Sequence, residues 1–136
     1  DIIGSVNQNL ANYPGTHSAM SIGAGVYLGL TNVSALNFYV QTKATADSPY
    51  TLVSEAGFLR CNAAAGNMTV NLPAAIGNGR LVTIKKIDSS GNTVTIDGNG
   101  SETIDGATTK TLTVQYQVIQ FIDAASGVWD VINYGP

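Results

Sequence analysis

Charge is scarce in this chain. Asp, Glu, Lys and Arg make up 11% of its 136 residues, against about a quarter in ordinary soluble domains. The net charge is −3, and the six basic residues are scattered, so no basic stripe exists to follow a phosphate backbone and a nucleic-acid partner is excluded. Lys85-Lys86 is the one basic pair, and in an extended strand its two side chains leave on opposite faces. One cysteine, Cys61, excludes an intrachain disulfide. Within Phe58-Leu59-Arg60-Cys61-Asn62 it reads as a small buried hydrophobe. A nucleophilic Cys needs a basic partner, and nothing places the single histidine, His17, beside it. No apolar run approaches the roughly 20 residues of a membrane-spanning helix, so membrane insertion is not expected, and no signal peptide is visible. A chain opening on Asp1 is expected to be a fragment or a processed product. Asp97-x-Asn99-x-Ser101 resembles the start of a calcium loop, but Glu102 stands where that loop needs Gly and no helices flank it. No metal and no cofactor are expected.

Small hydroxyl and amide residues fill the space that charge leaves, in patterns of period two. From Arg80 to Tyr134 the chain reads as an antiparallel meander. Leu81 to Ile87 alternates two faces, Thr93 to Asp97 and Glu102 to Asp105 are short strands, and Val128 to Asn133 closes the series. Leu112 to Asp123 reads as the longest strand, with Leu112, Val114, Tyr116 and Val118 on one face. Upstream, Asn37 to Gln41, Tyr50 to Val53, Phe58 to Asn62 and Asn67 to Leu72 are predicted strands, the last with Met68, Val70 and Leu72 inward. Pro73 ends it, lacking the N–H a ladder requires. Strands of this spacing, separated by turn residues, predict an all-β antiparallel two-sheet β-sandwich, jelly-roll-like, over residues 36–136. Residues 1–35, with Gly23, Gly25 and Gly29 and a weak strand near Val26 to Leu30, are expected to form an extended N-terminal arm.

An Ile-Asp pair recurs at Ile87-Asp88, Ile96-Asp97, Ile104-Asp105 and Ile122-Asp123. A carboxylate placed after the last inward residue can accept a backbone N–H two residues on and start a turn, which is the expected role of all four. No spacing among the nine acidic residues selects a catalytic pair. The chain also shows no regular rungs of about 20 residues, as a polysaccharide-degrading β-helix would, so no catalytic residue is expected. Tyr39 and Tyr50 flank the Ala44 to Pro49 loop and are candidate ligand-binding residues, their rings suited to sugar stacking or to a subunit interface. Trp129, just past the Ala124-Ala125-Ser126-Gly127 turn, is a third candidate, with a core or edge-cover role as the alternative.

Asn71-Leu72-Pro73-Ala74-Ala75, Thr83-Ile84-Lys85-Lys86-Ile87-Asp88, Asn92 to Ile96, Glu102 to Gly106 and Trp129, in that order, resemble a β-rich module that recurs in tail fibre, tail tip and other appendage proteins of bacteriophages. The likeness covers about half the chain. It implies a non-enzymatic structural or adhesive part, located in the virion and extracellular. The implied partners are further copies of itself in a homotrimer, other virion proteins and a host surface glycan. The closing turn departs from the module's usual pattern, so no binding residue carries over there. An alternative expectation is a capsid-decorating or self-polymerising filament subunit whose N-terminal arm donates a strand to a neighbour's open sheet edge.

Overall fold

Period-two alternation yields ten strands and no α-helix among the described residues, 39–53 and 56–135 of a computed structural model. They are β1 (Tyr39–Ala44), β2 (Tyr50–Thr51), β3 (Ala56–Asn62), β4 (Met68–Asn71), β5 (Leu81–Lys86), β6 (Val94–Asp97), β7 (Thr103–Ile104), β8 (Thr109–Leu112), β9 (Val118–Ala125) and β10 (Val128–Gly135). All of them belong to one unit, Leu36–Pro136. The expected N-terminal arm, with His17 and the weak strand near Val26, lies outside the described residues.

Two mixed sheets result. One has the order β1-β3-β5-β9-β10-β7 and the other β2-β4-β6-β8. This corrects the expected antiparallel, jelly-roll-like pairing, because β1 with β3, β3 with β5, β2 with β4, β4 with β6 and β7 with β10 are all parallel. From β1 to β6 the chain crosses to the other sheet after every strand, so it winds through three successive coils. Val40 lies beside Phe58 and Phe58 beside Thr83, offsets of 18 and 25 residues. In the other sheet Tyr50 lies beside Val70 and Met68 beside Val94, offsets of 20 and 26. Parallel coils at uneven spacings of 18 to 26 residues are therefore present, not the regular rungs sought in the sequence reading. They escape it because neighbouring coils share a register of inward residues and no repeated motif.

The longest predicted strand is also broken. Leu112 ends β8 in the four-stranded sheet, and β9 begins at Val118 in the other. Between them Tyr116 takes φ 64, a left-handed conformation that no strand sustains. The Gln117 Oε1 accepts the Thr113 N–H at 2.6 Å and so closes the turn. Val114 and Tyr116 are exposed while Leu112 is buried.

One apolar cluster joins both sheets. Leu59, Cys61, Val82, Ile84, Ile119, Phe121 and Trp129 come from the six-stranded sheet, and Met68, Val70, Val94, Ile96 and Leu112 from the other. The alternation inside each strand sets this. In β5, for instance, Val82, Ile84 and Lys86 are buried while Leu81, Thr83 and Lys85 face outward. Met68 and Val70 point inward and Thr69 and Asn71 outward, as the sequence pattern requires.

Candidate functional site

β1 is an edge strand with a single neighbour among the described strands. Its register with β3 puts Gln41 and Lys43 beside Leu59 and Cys61, on the inward side, and Val40 and Thr42 outward. The first coil thus presents a polar inner edge. Gln41 links the two tyrosines proposed from sequence: its Nε2 donates to the Tyr39 hydroxyl at 3.3 Å, and the Tyr50 hydroxyl donates to its Oε1 at 2.5 Å. Lys43 Nζ lies 4.7 Å from the centre of the Tyr50 ring, a cation–π geometry, and 3.6 Å from Asp47. Tyr39 is 56% exposed, whereas Tyr50 packs partly against the core. One ring is therefore open, and the other is covered on one face by an ammonium.

Trp129 does not join them. It is fully buried, with its ring edge against Phe121 at 5.5 Å and 81° and the Arg80 guanidinium 5.1 Å away. Neither face of the indole is open to a sugar, so the stacking role is corrected to that of a core side chain.

The Ile-Asp series has more than the expected role. Asp88 does start its own turn, accepting the Ser90 N–H at 3.0 Å, but its other oxygen accepts the Ala63 N–H at 2.7 Å, one coil away. Asp123, 1% exposed, accepts the N–H groups of Ile76 and Gly77 at 3.1 and 2.7 Å. Asp105 accepts from Val131 at 2.9 Å, and Glu102 holds the Ala75 N–H at 3.0 Å. Asp88 and Glu102 thus fasten one corner of the coil to the next, while Asp123 ties β9 to the loop after β4 and Asp105 ties β7 to β10, each satisfying a backbone donor. Sequence reasoning misses this because the partner N–H lies 25 to 47 residues away.

Beside Asp88 the inward pleat of β5 drives Lys86 into the core with no exposure. Its Nζ donates to the Asp88 carboxylate at 2.6 Å and to the carbonyls of Asp88 and Ser90 at 2.9 and 3.2 Å. Burial pushes the Asp88 carboxyl upward. The donors Lys86, Ser90 and the Ala63 N–H outweigh it and hold the group well below the usual carboxylate range. Lys85, on the opposite face, sits 5.3 Å from the Tyr116 ring.

Cys61 is buried. Burial first, and the Asp88 charge second, push its thiol up to about 12, which suits a core side chain and not a nucleophile. Among the described residues no group of three or more His, Cys, Asp or Glu side chains is arranged to hold a metal. No protein-family model matches the sequence, and no match to it was found among curated proteins.

Proposed function

We propose that this domain is a non-enzymatic module of a bacteriophage virion appendage, contributing to host attachment as one copy of a homotrimer, with other virion proteins as neighbours. In this reading the two sheets form a sandwich wound as a short coil. The motifs shared with phage appendage modules support it through their roles here. Asp88, Ala75 and Glu102 belong to those motifs and are the residues that fasten coil corners, so the likeness lies in the scaffold. The observation that carries self-assembly is the outward face of the six-stranded sheet. Val40 and Leu81 are 55 and 42% exposed there, and Phe58, Val118 and Ile122 are half-buried around them. Thr83, Lys85 and Arg60 share this face, and a mixed apolar and polar sheet face of this kind suits contact with another copy.

The test is the native mass by light scattering of the chain and of its Val40→Lys and Leu81→Lys variants. A discrete trimer that the substitutions dissociate is expected, and a wild-type monomer at tens of micromolar rejects the reading. The filament alternative draws on a different observation. β1 and β2, both in the first coil, each have one described neighbour and leave edges that a donated strand could complete. Loss of assembly on deleting residues 1–12, with the outer-face variants unaffected, favours that alternative.

A further inference from the structure

Of the four Ile-Asp pairs, one is not a fastener. Asp88, Asp105 and Asp123 all engage backbone N–H groups, but the Asp97 carboxylate makes no hydrogen bond to the protein among the described residues. It lies at the end of β6 on the outward face of the four-stranded sheet, where three coils come into register. Thr51 of the first coil lies beside Asn71 of the second, and Asn71 beside Asp97 of the third. Adjacent strands put these side chains about 4.8 Å apart in a row. The row forms one wall of a half-open cleft of ≈ 320 Å³, completed by Pro73, Asn99 and the Gly98–Gly100 turn.

The frame of the cleft is held rigidly. Leu52 N–H donates to the Asn71 carbonyl at 2.9 Å, Leu72 N–H to the Asp97 carbonyl at 2.8 Å and Gly98 N–H to the Thr108 carbonyl at 2.9 Å. A Cβ on Gly98 would lie 2.5 Å from the Glu102 carbonyl oxygen, so the turn keeps its close approach only with glycine there. These backbone groups are paired with one another, while the side chains of Thr51, Asn71, Asp97 and Asn99 keep their hydrogen-bonding capacity facing the cleft.

We propose that this ladder is a carbohydrate site, seating one sugar residue of a glycan. The chemistry selects that ligand class. Asp97 accepts two hydroxyls, Asn71 and Asn99 each donate and accept, and Thr51 does either, which matches the neighbouring hydroxyls of a pyranose. An anionic ligand would meet the Asp97 charge, and an apolar one would strip these groups of water without replacing the bonds. A hard cation calls for more anionic oxygen than one carboxylate supplies. Pro73 adds a ring of C–H groups to the lining. The volume lies at the small end of ligand sites, and the open side leaves room for the glycan to continue. This site is separate from Tyr39, Tyr50 and Trp129. It gives the attachment reading a ligand class and rests on that reading only in taking the glycan to be the host's.

The experiment is a 1H–15N NMR titration of the whole chain with glucose, galactose, mannose, rhamnose and N-acetylglucosamine. Each is taken to about 50 mM, above the millimolar dissociation constant expected of a shallow single-sugar site. At least one sugar should shift the amides of Gly98, Asn99 and Gly100 and the side-chain NH2 of Asn71. Asp97→Asn and Asn71→Ala should each weaken it about tenfold or more, with the rest of the spectrum unchanged. No shift with any of the five sugars, shifts centred elsewhere, or unaltered affinity in Asp97→Asn overturns the site. So does movement of the same amides by calcium chloride alone, which would make it a cation site. Native mass and binding to bacterial cells are read separately on wild type and Asp97→Asn. If the trimer and cell binding persist while the sugars fail, this site falls and the attachment reading stands. Sugar binding without cell binding has the reverse meaning.

Discussion

Replacing Asp88 by alanine should be among the most damaging single changes in the domain, because it removes the counter-charge of a fully buried ammonium. Lys86 has no exposure and would keep two carbonyls, at 2.9 and 3.2 Å, in place of an ion pair at 2.6 Å. Breaking a buried pair by removing one partner costs about 3–5 kcal/mol, a large part of the roughly 5–15 kcal/mol by which a domain is stable. The Ala63 N–H loses its acceptor in the same variant. Lys86→Met is the informative comparison. It removes the buried charge itself, conserves length, and leaves Asp88 three donors from Ser90 and Ala63, so it should cost less than half as much. The assay is urea unfolding of wild type, both single variants and the double variant at pH 7. An Asp88→Ala cost under about 1 kcal/mol, or a Lys86→Met cost equal to it, would refute the reasoning, since either means that the ammonium is not held by the carboxylate. The carboxyl is depressed in the folded state, so its contribution is fully present above its unfolded value of about 4 and is lost as pH falls from there toward the folded value. The urea midpoint of wild type should therefore drop below about pH 4, and that of Asp88→Ala should drop less.

Trp129→Ala should cost about 3–5 kcal/mol, the usual range for emptying a large buried aromatic site. In wild type the single Trp should emit as a buried indole, and red emission from the native chain would contradict its place against Phe121. Cys61, with its thiol pushed up to about 12, should react with a disulfide reagent at pH 8 only as fast as the domain opens. A rate tracking reagent concentration without limit, as for a free thiol, would show that the thiol is accessible in the native state.

Much of the strand pattern is legible in the order of residues alone. Met68 and Val70 inward, Lys85 and Lys86 on opposite faces, and Pro73 past the end of β4 all follow from local chemistry. Tyr39 and Tyr50 stand out by their position about one loop, and the fold brings them together through Gln41. Trp129 is the less legible residue, because an indole past a hairpin turn satisfies the same pattern whether it caps a core or meets a ligand. The cleft of Thr51, Asn71 and Asp97 leaves no mark in the sequence, as each residue looks like any outward polar position of its own strand.

The amino-acid sequence by itself determined that the described residues are all-β, where most of their strands lie, and which side chains they turn inward. Tertiary structure alone decided which sheet each strand joins, that three coils of 18 to 26 residues stack in parallel, and which Asp fastens a corner and which faces a cleft. The physical reason is that period-two alternation is a property of one strand and its two faces. The neighbour across a ladder, and the amide a carboxylate finds, are chosen by whichever part of the chain the shared core brings alongside.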